Sequence, residues 1–410
     1  MKTNKFLLIY GLLSLSIVTL CAQPKENLIS GISINRLERY ERFIKEEIAQ
    51  SKIPGAVTLI LRNGAIVQEA SYGYSDASNK TPMKTDDIFY MQSMTKPIIT
   101  VAFMMLYEEG HFLLTDPVSK YIPAFKNMRV SKDVNTGMAG ETDSLTNEIT
   151  IAQVLSHTSG LMHGLGASTL ERDFRKQYYG SPFPKDIQGM IERMTKIPMV
   201  GQPGKQWNYS AGPDVLSVLI EKFSGISTND FLNERLFKPL GMKNTGYNLT
   251  EAQATRVVKV HGLGGTLVPN QPLTKGQTIW FGSNALFSTA QDYLEFCQML
   301  LNGGTWKGRE YLSRKTVELM TSNHVGTLYS SVLKDRIGEG FGFGFAVVMD
   351  VAQTKSSGSE GLFYWSGANN THFFIDPKEK LISIFLTQQV PHDYFYHVKM
   401  RQMIYQAIAD

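Results

Sequence analysis

Two cysteines in 410 residues, Cys21 and Cys297, are too few for a disulfide framework. There is no paired-cysteine spacing and no H-E-x-x-H, so nothing in the chain asks for a metal, and no cofactor is implied. Long hydrophobic runs are scarce too. A membrane span needs about 20 apolar residues, and no stretch beyond the first twenty positions supplies them. Charge of one sign is likewise not in surplus: 41 Lys and Arg stand against 37 Asp and Glu, a formal +4. No basic block interleaves with aromatics, which leaves nucleic-acid binding without support. Internal repeats and low-complexity tracts are also missing. What remains, 42% hydrophobic and 19% charged residues, is ordinary for a globular protein of one large domain or two lobes.

One uncharged, mostly apolar run covers residues 6–20, after Lys2 and Lys5 and before "CAQPKEN", where polarity returns. It is too short to span a bilayer and reads as a secretory signal peptide over residues 1–22, with the small Ala22 last. Cys21 offers a lipoprotein reading, ranked second because the bulky Leu20 stands where such signals take a small residue. The expectation is therefore an exported protein, periplasmic or secreted, with no transmembrane span. Cleavage after Ala22 leaves Cys297 alone, and stability must come from the core rather than a crosslink.

After the leader, "INRLERYERFIKEEIAQSKIPG" carries Ile34, Leu37, Tyr40, Phe43, Ile44 and Ile48 at helical spacing and stops at Pro54-Gly55. Then "AVTLILRNGAIVQEASYGYSD" gives two β-branched runs joined by Asn63-Gly64, a hairpin signal. Near the far end, "GFGFGFAVVMDV", "GLFYWSGANNTHFFIDP" and "KLISIFLTQQ" are three strand candidates, and "YFYHVKMRQMIYQAIAD" is a closing helix. The economical arrangement is α/β (α+β): one antiparallel five-stranded sheet from both chain ends, flanked by helices. On this reading residues 23–410 form one domain. Its α/β lobe covers about 23–115 and 335–410, and a mainly helical lobe about 116–334 is inserted between. The polar stretch at 126–148 is long enough to suggest a surface excursion near function.

Three places carry candidate chemistry. In "FYMQSMTKPIIT" an apolar periodicity opens at Ser93 and runs to Gly110, with Pro97 tolerable in the first turn, where helix N–H groups have no internal partner. Ser93 then sits at a helix N-terminus, which favours a developing anion. Lys96, three residues on, lies on the same face and can take or orient the serine proton if its pKa is lowered. A serine at a helix start is more often only a cap, and a second S-x-x-K exists at Ser331 and Lys334, but that copy has no apolar run behind it. In "PGKQWNYSAGPDVLSVLIEKFSG", Tyr209 sits between a Pro/Gly turn and a helix. Beside Lys96 its phenol could be partly phenolate and serve as a base, although a core tyrosine is the commoner case. In "YWSGANNTHFFIDP", an edge-like strand, Gly367 permits close backbone approach, and a strand N–H at Ala368 with that of Ser93 would make an oxyanion hole. Trp365 and Ser366 belong to the same wall, for which plain core packing is the alternative.

These three places together resemble the serine β-lactamase and penicillin-binding-protein superfamily. The likeness is to its class C-like branch, which includes family VIII carboxylesterases, D-amino-acid peptidases and acyltransferases. "SMTKP" is similar to the S-x-x-K motif, "YSA" to the Y-x-N position, and "WSG" to the K-T-G or H-x-G position. "MMLYEEGHFLLTDPVSKYIP", "QVLSHTSGL", "PLGMKNTGY" and "FSTAQDYLEFCQMLLNGG" extend the likeness over most of the chain. The resemblance implies an acyl-enzyme on Ser93, activated by Lys96 and Tyr209. Two departures stand out. Ala211 replaces an Asn that would hydrogen-bond a substrate amide, and Trp365 replaces a Lys that would anchor a substrate carboxylate. Both are similar to changes in the esterase members, so a small ester or amide substrate is expected ahead of β-lactams or D-Ala-D-Ala ends.

Other readings have less behind them. A strict G-x-S-x-G is missing, the nearest being "GYSDA" around Ser75 at a strand end. His157 reads as a turn residue, His372 as a strand residue, and Ser227 of "STN" as a helix cap. β-Lactamase or D,D-peptidase activity is the alternative enzyme, and a non-catalytic penicillin-binding or peptidoglycan-associated module is the alternative from another class.

Overall fold

Asn63 and Gly64 both take left-handed backbone (φ 51° and 77°), as a two-residue hairpin turn requires, and join β1 (Gly55–Arg62) to β2 (Ala65–Asp76). The computed structural model describes residues 27–410, so the leader and Cys21 lie outside the described residues. β3 (Thr81–Pro82), β4 (Glu339–Phe341), β5 (Ala346–Val348), β6 (Phe363–Gly367), β7 (Thr371–Asp376) and β8 (Leu381–Leu386) complete one antiparallel sheet in the order β4-β5-β6-β7-β8-β1-β2-β3.

The sheet has eight strands rather than the expected five, and the difference has a local cause. "GFGFGFAVVMDV" breaks at Gly342-Phe343-Gly344, where Gly344 has φ 83°, and yields β4 and β5. "GLFYWSGANNTHFFIDP" folds back on itself at residues 368–370. There Asn370 has φ 61° and returns its N–H to the Gly367 carbonyl at 3.0 Å. Tight turns built on such residues hide inside a pattern that reads as unbroken strand. β3 adds a two-residue edge beside β2.

Side chains alternate across β1. Val57, Leu59 and Leu61 face a large core shared with α2 (Thr95–Glu108), α3 (Thr169–Tyr178), α4 (Ile187–Met194), α5 (Gly212–Ser224) and α6 (Ala290–Leu301). Ala56 and Ile60 face a second core, closed by α1 (Ile34–Ala49) and α7 (Phe395–Tyr405). The sheet is thus covered on both faces. α2 is buried from Thr95 to Leu106, so it has no solvent face to speak of and no amphipathic stripe. Residues 126–148 form a small hairpin, Arg129–Ser131 with Thr142–Ser144. It is tied to α3 by the Met138 N–H to Asp173 (3.0 Å) and to Gln202 by the Thr146 N–H (2.9 Å). No helix among the described residues is long and apolar enough to cross a membrane.

Candidate active site

The helix expected to open at Ser93 opens two residues later. Ser93 instead occupies a 3-10 turn, Gln92–Met94, that feeds α2, and Gln92 takes the left-handed conformation (φ 50°) that a residue with a side chain seldom adopts. Distant segments hold this turn in place. The Met91 N–H donates to the Leu286 carbonyl (2.9 Å), the Leu286 N–H to Thr95 Oγ1 (3.2 Å), and the Tyr293 hydroxyl to the Met94 carbonyl (3.1 Å). On the other side Gly367 lies directly against the Met91 carbonyl, and a Cβ there would overlap that oxygen.

Lys96, second residue of α2, is 1% exposed. Its Nζ lies 3.1 Å from Ser93 Oγ, 2.7 Å from the Ser283 carbonyl and 3.4 Å from His163 Nε2. Burial pushes the ammonium down to about 7, against a smaller opposing pull from Asp214. Burial, reinforced by Lys96, also pushes His163 down to about 3, so its imidazole is neutral and Nε2 can accept. A neutral lysine amine has two N–H groups and one lone pair. With one N–H given to the Ser283 carbonyl and His163 Nε2 beside it at 3.4 Å, the neutral amine can turn its lone pair toward the serine hydroxyl. In that state the amine is placed to accept a proton from Ser93.

Asp214, in the first turn of α5, is fully buried beneath this pair. It accepts the Ser283 N–H (2.7 Å) and hydroxyl (3.1 Å) and the Tyr178 hydroxyl (2.7 Å). Burial raises its carboxyl, and these donors work in the opposite direction. The carboxylate fixes Ser283, and Ser283 in turn presents its carbonyl to Lys96.

Tyr209 precedes α5 by three residues and lies in an aromatic box. His163 stacks on its ring (5.3 Å, 7°), His157 meets it edge-on (5.0 Å), and Trp365 and Trp207 flank it at 5.5 and 6.2 Å. Lys96 Nζ stands 4.6 Å from the ring centroid, over the face rather than at the oxygen. Burial therefore dominates and the phenol is pushed far above its usual value, with Ser93 and Trp365 near enough to oppose only weakly. The expected partial phenolate is reversed: Tyr209 is a neutral phenol, its buried hydroxyl without a properly formed hydrogen bond.

Trp365 closes the box, and its indole N–H is also buried and unpartnered. Ser366 points elsewhere and pairs with His392 Nε2 at 3.3 Å. β5 pairs with β6 only at Phe363 and Tyr364, so residues 365–367 keep one free strand edge; the strand is interior for half its length and edge-like only in the other half. Ala368 is not in the strand. It is the exposed first residue of the turn into β7, just past the Gly367 that touches the Ser93 turn.

The remaining sequence candidates fall where structural roles put them. His157 is buried in a left-handed turn (φ 57°) and its Nδ1 accepts the Ser210 N–H at 3.3 Å. His372 is buried on β7. Ser227 caps Thr228–Leu232, and Ser331 bonds its own Leu328 carbonyl (2.8 Å). Ser75 lies at the end of β2. His163, Asp214 and Ser283 were not singled out from sequence. Their partners are 67, 69 and 187 residues away, and no local spacing marks them. Among the described residues no cluster of His, Cys, Asp and Glu could hold a metal ion.

A two-sided antiparallel sheet, a Ser-x-x-Lys that runs from a 3-10 turn into a buried helix, and a tyrosine loop beside it define the class of the serine β-lactamases and penicillin-binding proteins. The chain belongs to the Beta-lactamase family, whose model matches residues 40–402. It is 30% identical over 367 residues to the Mycobacterium tuberculosis protein Rv1367c, covering 87% of this chain and 90% of that one. It is 24% identical to Esterase EstB of Burkholderia gladioli, over 85% and 89% of the two chains. Among solved structures it is similar in fold to EstCE1, a hydrolase with promiscuous acyltransferase activity. The TM-score is 0.78 at 23% identity, with 90% of this chain and 99% of that one covered.

Proposed function

We propose that this chain is an exported serine hydrolase that works through an acyl-enzyme on Ser93, with esters or small amides favoured over β-lactams. The observation that carries the reading is the buried Lys96 amine 3.1 Å from Ser93 Oγ, anchored on the Ser283 carbonyl at 2.7 Å. Ser93 Oγ attacks the acyl carbon while its proton passes to the Lys96 lone pair. The oxyanion is held by the N–H groups of Ser93 and Ala368. The leaving oxygen takes a proton from the neutral Tyr209 hydroxyl, which Lys96 then reprotonates. In the second half the same pair takes a proton from water as its oxygen attacks the acyl carbon, and returns it to Ser93 Oγ as the ester bond breaks and the acid leaves. Trp365 forms an apolar wall beside the leaving group. The preference against β-lactams rests on Ala211, which is fully buried and has no side-chain amide, and on Trp365, which offers no cation to a carboxylate. Similarity to EstB, an esterase by name, supports the same preference.

The direct test compares a short-chain nitrophenyl ester with a chromogenic cephalosporin on one preparation. The ester is expected to have the higher kcat/KM by about a hundredfold or more; a ratio in favour of the cephalosporin sinks the ester preference. The base makes a second prediction. Lys96 accepts a proton only when neutral, so kcat/KM should fall about tenfold per unit below a midpoint near pH 7 and level off above it. Asp214→Asn removes the anion that favours the ammonium, so the Lys96 pKa drops and the rising limb moves to lower pH. A limb that stays put, or moves up, would show that Asp214 does not act through Lys96.

A further inference from the structure

A cavity of about 430 Å³ opens one residue past the Ser283 carbonyl that Lys96 touches. That volume is within the range of about 300–1,000 Å³ typical of small-molecule sites. Asn284, Ala285 and Tyr179 line it together with Tyr90, Tyr247 and Phe281. The mouth is rimmed by Phe183 and Leu273, which are 53% and 75% exposed, a wasteful placement for large apolar side chains unless they meet something apolar. The lining contains no Asp, Glu, Lys, Arg or His. Among its polar groups, the Tyr179 hydroxyl is buried and makes no well-formed hydrogen bond: Ser283 is near enough to act on it only weakly, and the Asp214 carboxylate is already engaged by Tyr178 and Ser283. The Tyr179 ring lies 5.8 Å from His163, the imidazole that contacts Lys96, and burial keeps its phenol protonated.

Resting on the hydrolase reading, we propose that this cavity seats the acyl substituent, and that the substituent is neutral, broad and apolar, such as an aryl group, with one acceptor oxygen for the Tyr179 hydroxyl. The side of the site decides for acyl over alcohol. The leaving oxygen must face Tyr209 to be protonated, so the alcohol extends along Trp365, and the other substituent of the carbonyl points toward residues 283–285. An anionic substituent would enter an uncharged apolar space without a counter-ion and is rejected. An aryl ring buries a large apolar area there, and an ether oxygen pairs a donor that is otherwise left unsatisfied.

The test keeps the nitrophenol constant and varies the acyl group: acetyl, 3-phenylpropionyl, its ether counterpart phenoxyacetyl, and the anionic succinyl, each rate divided by that for hydroxide. The 3-phenylpropionyl ester is expected to exceed acetyl in kcat/KM by about tenfold or more, phenoxyacetyl to exceed it further, and succinyl to fall below acetyl. Tyr179→Phe should erase the phenoxyacetyl increment and keep the aryl preference. Phe183→Ala with Leu273→Ala, both at the exposed rim, should cut the aryl-to-acetyl ratio at least threefold. Acetyl turnover without an aryl preference overturns the cavity assignment and leaves the hydrolase standing; so does a preference that follows the alcohol when that part is varied instead. If no ester is turned over, the hydrolase reading fails, and calorimetry of the phenoxyacetyl ester with Ser93→Ala reads the cavity alone. No saturable binding there overturns it as well.

Discussion

Ser93→Ala is expected to lower kcat/KM for a short-chain nitrophenyl ester by about 10⁴-fold or more. The oxyanion donors and the apolar wall survive the substitution, so a small excess over uncatalysed hydrolysis should remain, as happens when a nucleophile is removed from an otherwise intact site. Nothing in the fold depends on the hydroxyl. It meets Lys96 at 3.1 Å and is not a helix cap, since α2 begins at Thr95 with no side-chain cap. Loss of activity should therefore come with an unchanged melting temperature, which separates chemistry from misfolding. A fluorophosphonate probe should label the wild type on the peptide containing Ser93 and leave the variant unlabelled. Ser331→Ala is the matched control, because that serine heads an identical S-x-x-K spacing yet bonds its own helix at Leu328. Its kinetics should stay within about twofold of wild type, as expected for an exposed surface site. Full hydrolysis by Ser93→Ala would end the acyl-enzyme reading.

What could be read in the sequence was local. Ser93 and Lys96 are three residues apart on one face, and Tyr209 is fixed by the turn and helix around it, so spacing alone proposes them. Asn63-Gly64 announces its hairpin in two letters. The features that give Lys96 its chemistry are not of this kind. His163 and Ser283 reach it from 67 and 187 residues away, and Asp214 acts on it through Ser283, so the lysine's environment is assembled only by the tertiary fold. The ionisation of Tyr209 was misjudged for the same reason. Proximity to a cation argues for phenolate, but the direction of approach decides, and Nζ stands over the ring while four aromatic neighbours exclude water. Strand count failed where Gly344 and Asn370 turned the chain inside runs that alternate like strand. A left-handed Gln92 immediately before Ser93 had no signal at all, since glutamine has no preference for that conformation.

Lys96→Met is expected to move activity and stability in opposite directions. Activity should fall by about 10³-fold or more, because the thioether cannot accept the Ser93 proton and general-base assistance is commonly worth about 10²–10⁴-fold. Stability should rise. A lysine pushed from 10.5 to about 7 reports roughly 5 kcal/mol held against the ammonium in the folded state. The folded pKa is the lower one, so this burden is nil well above pH 10.5, grows as pH falls between the two values, and is complete below about 7. Methionine has nearly the same length and fills the same channel without a charge. It leaves the Ser283 carbonyl without its donor and gives up the His163 contact and the attraction of Asp214, a loss of about 1–3 kcal/mol that is smaller than the burden removed at pH below about 7. Asp214 keeps all three of its own donors. The melting temperature of the variant should thus exceed that of wild type by several degrees at pH 6, the gap should shrink to near zero around pH 9, and above pH 10.5, where only the lost hydrogen bond remains, the variant should be the less stable of the two. A gap that is flat with pH would mean the amine is not the source of the strain. A variant less stable than wild type at pH 6 would mean that Lys96 is held charged by its neighbours, and with it the base in this site would have to be sought elsewhere.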